Sequence, residues 1–276
     1  MCPMTASVSL SLILLALAAP SAQVVRRTPL QGVDLQRVEW VGEVEAGDWL
    51  RVDNGFGDVR LRFGGEKGKV EVQAMIQQLQ AAPGSLDLTA SKLDEGSVAL
   101  TVVERATGAD QDGPASTARS GRVDLVILVP RGTQVSVRTV YGAIEARDLT
   151  GRLDLSSDSG SVELMSVHGP VMARSSRGEI RTYLAAGADA GPQKLETVTG
   201  DIRAFIPEGA DLAVSAATSG ELCTDFSIQI EHRRQEEPDK RATLTLGEGR
   251  QDLQITSKRG RICLLRSPGA VAPQAP

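Results

Sequence analysis

Glu145 and Glu163 lie eighteen residues apart, each the third residue after a glycine, and Arg181 holds the same place one period further on. If that spacing sets them on neighbouring strands, the paired carboxylates have the equipment for general acid and base work on a glycosidic bond. A solvated sheet face uses the same residues for a plainer purpose, since glutamate and arginine opposite one another steady adjacent strands. Aromatic residues, which such an enzyme needs to stack sugars, make up only 3% of the 276 residues. The ladder therefore reads as an ion-paired surface, with a polysaccharide-acting β-helix enzyme as the minor alternative. No residue is assigned a catalytic role, and the chain is expected not to be an enzyme.

Cys223 and Cys263 also stand third after a glycine, in Gly220-Glu-Leu-Cys and Gly260-Arg-Ile-Cys. Alternation points that position outward, and two exposed thiols at equivalent places oxidise in an exported protein. Neighbouring strands lie about 4.8 Å apart, inside the Cα range that a disulfide tolerates. A Cys223–Cys263 bridge stapling the last coil is the expectation; Cys2 falls in the leader. Other chemistry is thin. His168 precedes Gly169 at a turn, and His232 sits in a charged run, neither at ligand spacing from another His or Cys. Asp148, Asp158 and Asp201 fall at different offsets from their glycines, so the aspartate register of calcium-binding nonapeptide rolls is missing. There is no Gly-x-Ser-x-Gly elbow and no phosphate-cradling loop, and Gly55-Phe-Gly57 reads as a bend. No metal and no cofactor is expected.

The elements that position these residues follow from a period. Gly142, Gly151, Gly160, Gly169 and Gly178 are spaced by nine, and the second residue after each is aliphatic: Ile144, Leu153, Val162, Val171 and Ile180. The flanking positions are mostly polar or charged, which is the two-residue alternation of short strands. A fuller unit, Ser or Thr, two residues, Gly, any residue, then an aliphatic, recurs at Thr139–Ile144, Ser157–Val162, Ser175–Ile180, Thr197–Ile202 and Ser257–Ile262. Ala217 replaces the hydroxyl residue in the copy ending at Leu222, and Asn54-Gly-Phe-Gly-Asp-Val59 is a degenerate early copy. Gly57, Gly200, Gly220 and Gly260 thus join the corner glycines, and Val59, Ile202, Leu222 and Ile262 join the core aliphatics. Glycine suits a corner that needs positive φ, and the hydroxyl can bond its free backbone groups. Full copies every eighteen residues predict an all-β, solenoid-like stack with two strands per coil. Val129-Pro-Arg-Gly132 and Ile206-Pro-Glu-Gly209 lead into two longer stretches that align with one another.

Beyond the regular part, strands are expected at 38–44, 49–52, 58–63, 69–75, 85–89 and 97–103, with one possible helical turn at 75–80. Residues 107–120 should be a loop, and the insertions at 185–193 and 227–241 should bulge out. The chain begins with about a dozen mostly apolar residues, Val8–Ala19, followed by small ones, too short a run to span a bilayer comfortably and consistent with a signal peptide over 1–22. A linker at 23–36, a single elongated domain at 37–266 (less regular to 121, regular from 122) and a disordered tail at 267–276 complete the expected layout. The net charge of −5 argues against nucleic acid, which requires a basic stripe.

The Pro-x-Gly lead-ins, the repeated Ser/Thr-x-x-Gly-x-Ile/Val corners and the apolar start together resemble the bacterial putative-adhesin family of β-strand repeat proteins, largely of unknown function. The resemblance spans about 45–265 and implies a right-handed, solenoid-like stack in an envelope or surface protein, with no catalytic residue. The expected function is that of a non-enzymatic, exported structural, adhesive or envelope-interaction module, in the periplasm, the envelope or outside the cell. Its partner would be an unidentified envelope protein or polysaccharide. Trp40, Trp49 and the loops at 105–121 and 227–241 are the candidate contact points. A sensory or regulatory binding domain in the envelope is the alternative.

Overall fold

The computed structural model describes residues 23–30, 32–80, 84–93, 96–106, 121–185 and 191–267, with 23–30, 84 and 104–106 described by backbone alone. The expectations for 1–22, 107–120, 186–190 and 268–276 lie outside the described residues. Every named element is a strand. The irregular N-terminal part comprises β1 (Gln23–Leu30), β2 (Val33–Glu43), β3 (Trp49–Phe56), β4 (Val59–Phe63), β5 (Lys69–Leu79), β6 (Gly84–Lys92), β7 (Val98–Ala106) and β8 (Gly121–Val129). The regular part runs through β9 (Gln134–Tyr141), β10 (Ile144–Arg147), β11 (Leu153–Ser157), β12 (Val162–Val167), β13 (Val171–Ser175), β14 (Ile180–Leu184), β15 (Gln193–Thr197) and β16 (Ile202–Ile206). It ends in β17 (Leu212–Thr218), β18 (Leu222–Thr224), β19 (Gln229–His232), β20 (Lys240–Leu246), β21 (Gln251–Ser257) and β22 (Ile262–Arg266).

These strands form two facing sheets of eleven, one ordered β1-β2-β5-β8-β4-β10-β12-β14-β16-β22-β18 and the other β19-β20-β17-β21-β15-β13-β11-β9-β3-β7-β6. Each coil gives one strand to each sheet, and like strands stack parallel and in register. Leu153 lies opposite Val135 and Val171, and Ile144 opposite Val59 and Val162. The alternating aliphatics therefore form continuous inward columns, with Val59, Ile144, Val162, Ile180, Ile202 and Ile262 all 0% exposed. Each such side chain contributes about 1.5–3 kcal/mol by leaving water. Aliphatic columns fill the narrow space between the sheets without aromatics.

A second column explains the corners. Asn54, Thr139, Ser157, Ser175, Thr197, Ser257 and Thr218 stack in register at the ends of their strands, all at most 5% exposed. Ser175 shows the pattern: its Oγ accepts from Gly178 N at 2.8 Å and donates to Gly160 O of the coil below at 3.0 Å. Ser157 and Ser257 repeat both bonds. The three serines thus tie their own corners to the neighbouring ones, Thr139 and Thr197 bond within their own corners, and Asn54 Nδ2 donates to Gly57 O and Val123 O, so each of these buried side chains has a partner.

The glycines of these corners are required for a different reason than positive φ. Among the corner glycines, φ lies in the left-handed region at Gly57, Gly151 and Gly169 only. At Gly142, Gly160, Gly178, Gly200, Gly220 and Gly260 a Cβ would instead overlap the carbonyl of the corner glycine stacked beneath it. The repeat demands glycine because successive corners touch backbone to backbone. In the Leu222 copy the column is continued by Thr218, not left empty at Ala217: β17 pairs Thr218 with Ser257, and Thr218 Oγ1 donates to Gly260 O at 2.7 Å. That corner is one residue shorter.

The stack is not in chain order. An ordinary corner advances one place, but Val129-Pro-Arg-Gly132 carries the chain from β8 past the β3–β4 coil to β9, and Ile206-Pro-Glu-Gly209 carries it from β16 past a place occupied later by β21–β22. The two aligned stretches in the sequence are therefore the two crossings, each turned by a glycine at φ of 79° or 74°. At the ends the chain reverses: β5 runs antiparallel to β8 and β2, and β20 antiparallel to β17 and β19.

Three expectations are corrected here. Residues 23–36 are not a linker, because β1 and the start of β2 pair along an antiparallel edge. Residues 75–80 hold no helical turn: β5 continues to Leu79, with Ala74 and Ile76 buried and Met75 exposed, as alternation requires. The 227–241 insertion is not simply a loop, since it contains β19 and the first residues of β20, which pair as a hairpin.

Candidate functional site

The outer face of the first sheet carries the column that the sequence singled out. Arg60, Glu145, Glu163, Arg181, Arg203, Cys263 and Cys223 follow one another on adjacent strands. Glu145 meets Arg62 at 2.7 Å, Arg147 at 3.5 Å and Arg60 at 3.9 Å. Glu163 meets Arg181 at 3.8 Å, while Glu179 joins Arg181 at 3.3 Å to Arg203 at 2.8 Å. Burial opposes the charge on Arg181, but Glu179 and Glu163 outweigh it and hold the guanidinium more basic than usual. The two candidate carboxylates are neighbours in space, as the period implied, and arginines occupy both. The arrangement is that of an ion-pair ladder across adjacent strands.

Cys223 and Cys263 are Cα partners across β18 and β22 and are joined by a disulfide, with Cα atoms 4.5 Å apart. Cys263 is not the exposed outward thiol that alternation suggests: it is 6% exposed, because β22 is inserted and its neighbours on both sides, Arg203 and Cys223, cover it. Of the core aliphatics, Leu153 and Val171 are buried with the six noted above, while Leu222 is only partly buried on the terminal strand.

Sequence reasoning missed the aspartates that follow two of the corner glycines. Asp58 Oδ1 accepts from Ala143 N of the next coil at 2.9 Å, and Asp201 Oδ1 accepts from Arg261 N at 2.8 Å. Arg122 then bridges Asp58 and Asp124, each at 2.7 Å, and Asp58 N donates to Asp124 Oδ1 at 2.8 Å. Burial opposes the Arg122 charge, yet Asp124 and Asp58 raise its basicity overall. The signal was present as Gly-Asp-aliphatic in Gly57-Asp-Val59 and Gly200-Asp-Ile202.

Trp40 is no contact point, being 8% exposed with its ring against Gly42; Trp49 is half-buried at the start of β3. His168 forms a bridge with Thr150 at a coil corner, and His232 is exposed on β19. Among the described residues no three His, Cys, Asp or Glu side chains gather as metal donors, and no helix is long and apolar enough to cross a membrane.

Residues 50–264, which carry both crossings and the corner ladder, match the family described as Toastrack DUF4097. The chain belongs to that family. No curated protein matches the Toastrack chain. Solved structures similar to it include a putative cell adhesion protein from Clostridium sporogenes, 14% identical, covering 83% of this chain and 98% of that one with a TM-score of 0.48. Another is a putative adhesin from Bacteroides fragilis, 10% identical, covering 83% and 96% with a TM-score of 0.37.

Proposed function

We propose that this Toastrack protein is a non-enzymatic, exported β-repeat module with a structural or adhesive role at the cell envelope. In this reading residues 1–22 are its export signal and 37–266 form one elongated β-repeat domain. The observation that carries the reading is the Cys223–Cys263 bridge, a linkage that persists in oxidising compartments and is rare in the cytosol. The engagement of Glu145 by three arginines supports a non-enzymatic role. The partner is an envelope protein or a polysaccharide, met by a long and rigid face.

Cell fractionation combined with alkylation tests this. The expected result is an exported, N-terminally shortened chain with no free thiol until reductant is added. A full-length cytosolic chain with free Cys223 and Cys263 contradicts the proposal. So does polysaccharide hydrolysis that disappears in Glu145→Gln or Glu163→Gln.

A further inference from the structure

One corner of the stack has chemistry that packing does not use. Phe63, Arg131, Asp148, Thr150, Ser166 and His168 line a shallow cleft of about 230 Å³. They come from three successive levels: the end of β4, the first crossing, the corner after β10, and the bulge and corner at the end of β12. Asp148 and Ser166, one coil apart, are the only non-glycine described residues with positive φ, at 55° and 51°. Both are exposed. The guanidinium of Arg131 lies 5.0 Å from the centre of the Phe63 ring, and Phe63 is 44% exposed.

The backbone here is already committed. Asp148 N donates to Met165 O, His168 N to Leu149 O, Gly151 N to His168 O and Gly132 N to Thr150 O, at 2.8–3.1 Å. An added peptide strand would find no free ladder of donors and acceptors. The side chains are a different matter. Thr150 Oγ1 accepts from Gly132 N at 3.1 Å and keeps its proton to donate, while Asp148, Ser166 and His168 make no side-chain hydrogen bond or ion pair among the described residues.

We propose that this cleft binds a uronate unit, a sugar bearing a carboxylate, of an acidic polysaccharide. Arg131 matches the sugar carboxylate. Asp148 accepts from ring hydroxyls, Thr150, Ser166 and His168 complete the polar contacts, and the exposed part of Phe63 meets the apolar C–H face. A bare anion such as phosphate gains from Arg131 but is repelled by Asp148, which only a hydroxyl-bearing ligand turns to advantage. The proposal rests on the reading of the chain as a surface-binding module and names the ligand class for one site on it.

Calorimetric or NMR titration of the purified exported chain with an oligogalacturonate is the test, with the neutral oligogalactoside and inorganic phosphate alongside. The oligogalacturonate is expected to bind in preference to both. Arg131→Ala and Asp148→Asn, both exposed substitutions, should each weaken binding about tenfold, the size of one charge-assisted hydrogen bond, while Glu231→Gln on β19, at the far edge of the other sheet, leaves it unchanged. No binding of the oligogalacturonate, equal binding of the neutral oligomer or of phosphate, or indifference to both substitutions overturns the proposal. Titration is independent of cellular location, so a failure of export and a failure of the cleft are separately visible.

Discussion

The two ends of the stack solve one topological problem in opposite order. At the first crossing the chain passes over the β3–β4 coil, which lies upstream in sequence, whereas at the second it passes over a place that is filled only when β21–β22 arrive some forty residues later. The N-terminal crossing is secured by charge: Arg122, Asp58 and Asp124 link three levels, and Gln77 of β5 reaches Asp124 at 3.2 Å. The C-terminal one is secured covalently, with the inserted β22 joined to the outer β18. The difference has a physical sense. A coil filled in last can also leave first, and a three-residue outer strand holds few backbone bonds to retain it. Closing a loop across a separation of 40 residues removes much of the open state's freedom.

Four substitutions or conditions break or sharpen that contrast. The largest effect is expected in the middle, where neither device acts. Gly160→Val drives a branched side chain into the carbonyl of Gly142 and should destabilise by more than about 4 kcal/mol or abolish folding, read by thermal melting. Next, Cys263→Ser should cost up to about 4 kcal/mol. In hydrogen exchange, protection should fall first in β17–β22 while β9–β14 stay protected. Asp58→Ala leaves Arg122 with Asp124 alone and Ala143 N unbonded. Its cost should be about 1–2 kcal/mol, with the loss of protection at β8 and β4 instead. The smallest effect concerns Glu196 on β15, beside the inserted β21. Burial disfavours its charge, but hydrogen bonds from Lys194 and Arg174 prevail and lower its pKa below the ordinary 4.5. A lowered carboxylate pKa stabilises the fold above the unfolded value and ceases to do so as pH falls through the folded value. The melting difference between the wild-type chain and Glu196→Gln should therefore be present at neutral pH and fade below about pH 4.5.

Much of the coil was legible because its causes are local. Alternation after each glycine marks which side chains face inward, and the hydroxyl three residues before Gly160 or Gly178 marks the bond that closes the corner. The Cys223–Cys263 pair was visible because both cysteines share a place in the repeat. What a single unit does not encode is which unit lies beside it. Nothing in Ile206-Pro-Glu-Gly209 says that a place is being left open, and nothing in Leu253-Gln-Ile255 says that it belongs between β15 and β17. The reason for the glycines was obscured likewise, since a contact between stacked carbonyls is a property of two corners and positive φ a property of one. Asp58 escaped notice because its partner, Arg122, lies 64 residues away. Residues 23–36 escaped because an edge strand need not alternate strongly.

The out-of-order stack is tested most directly by engineered cysteine pairs. Glu196 is the Cα partner of Thr256, and Thr256 of Ala217, so Glu196 and Ala217 are separated by a whole strand. Mild oxidation of the Glu196→Cys, Thr256→Cys chain should give a new disulfide, mapped by mass spectrometry, and the Glu196→Cys, Ala217→Cys chain should give none. The reverse outcome, a bond between positions 196 and 217 and none between 196 and 256, would mean that the coils stack in chain order and would contradict the inserted topology.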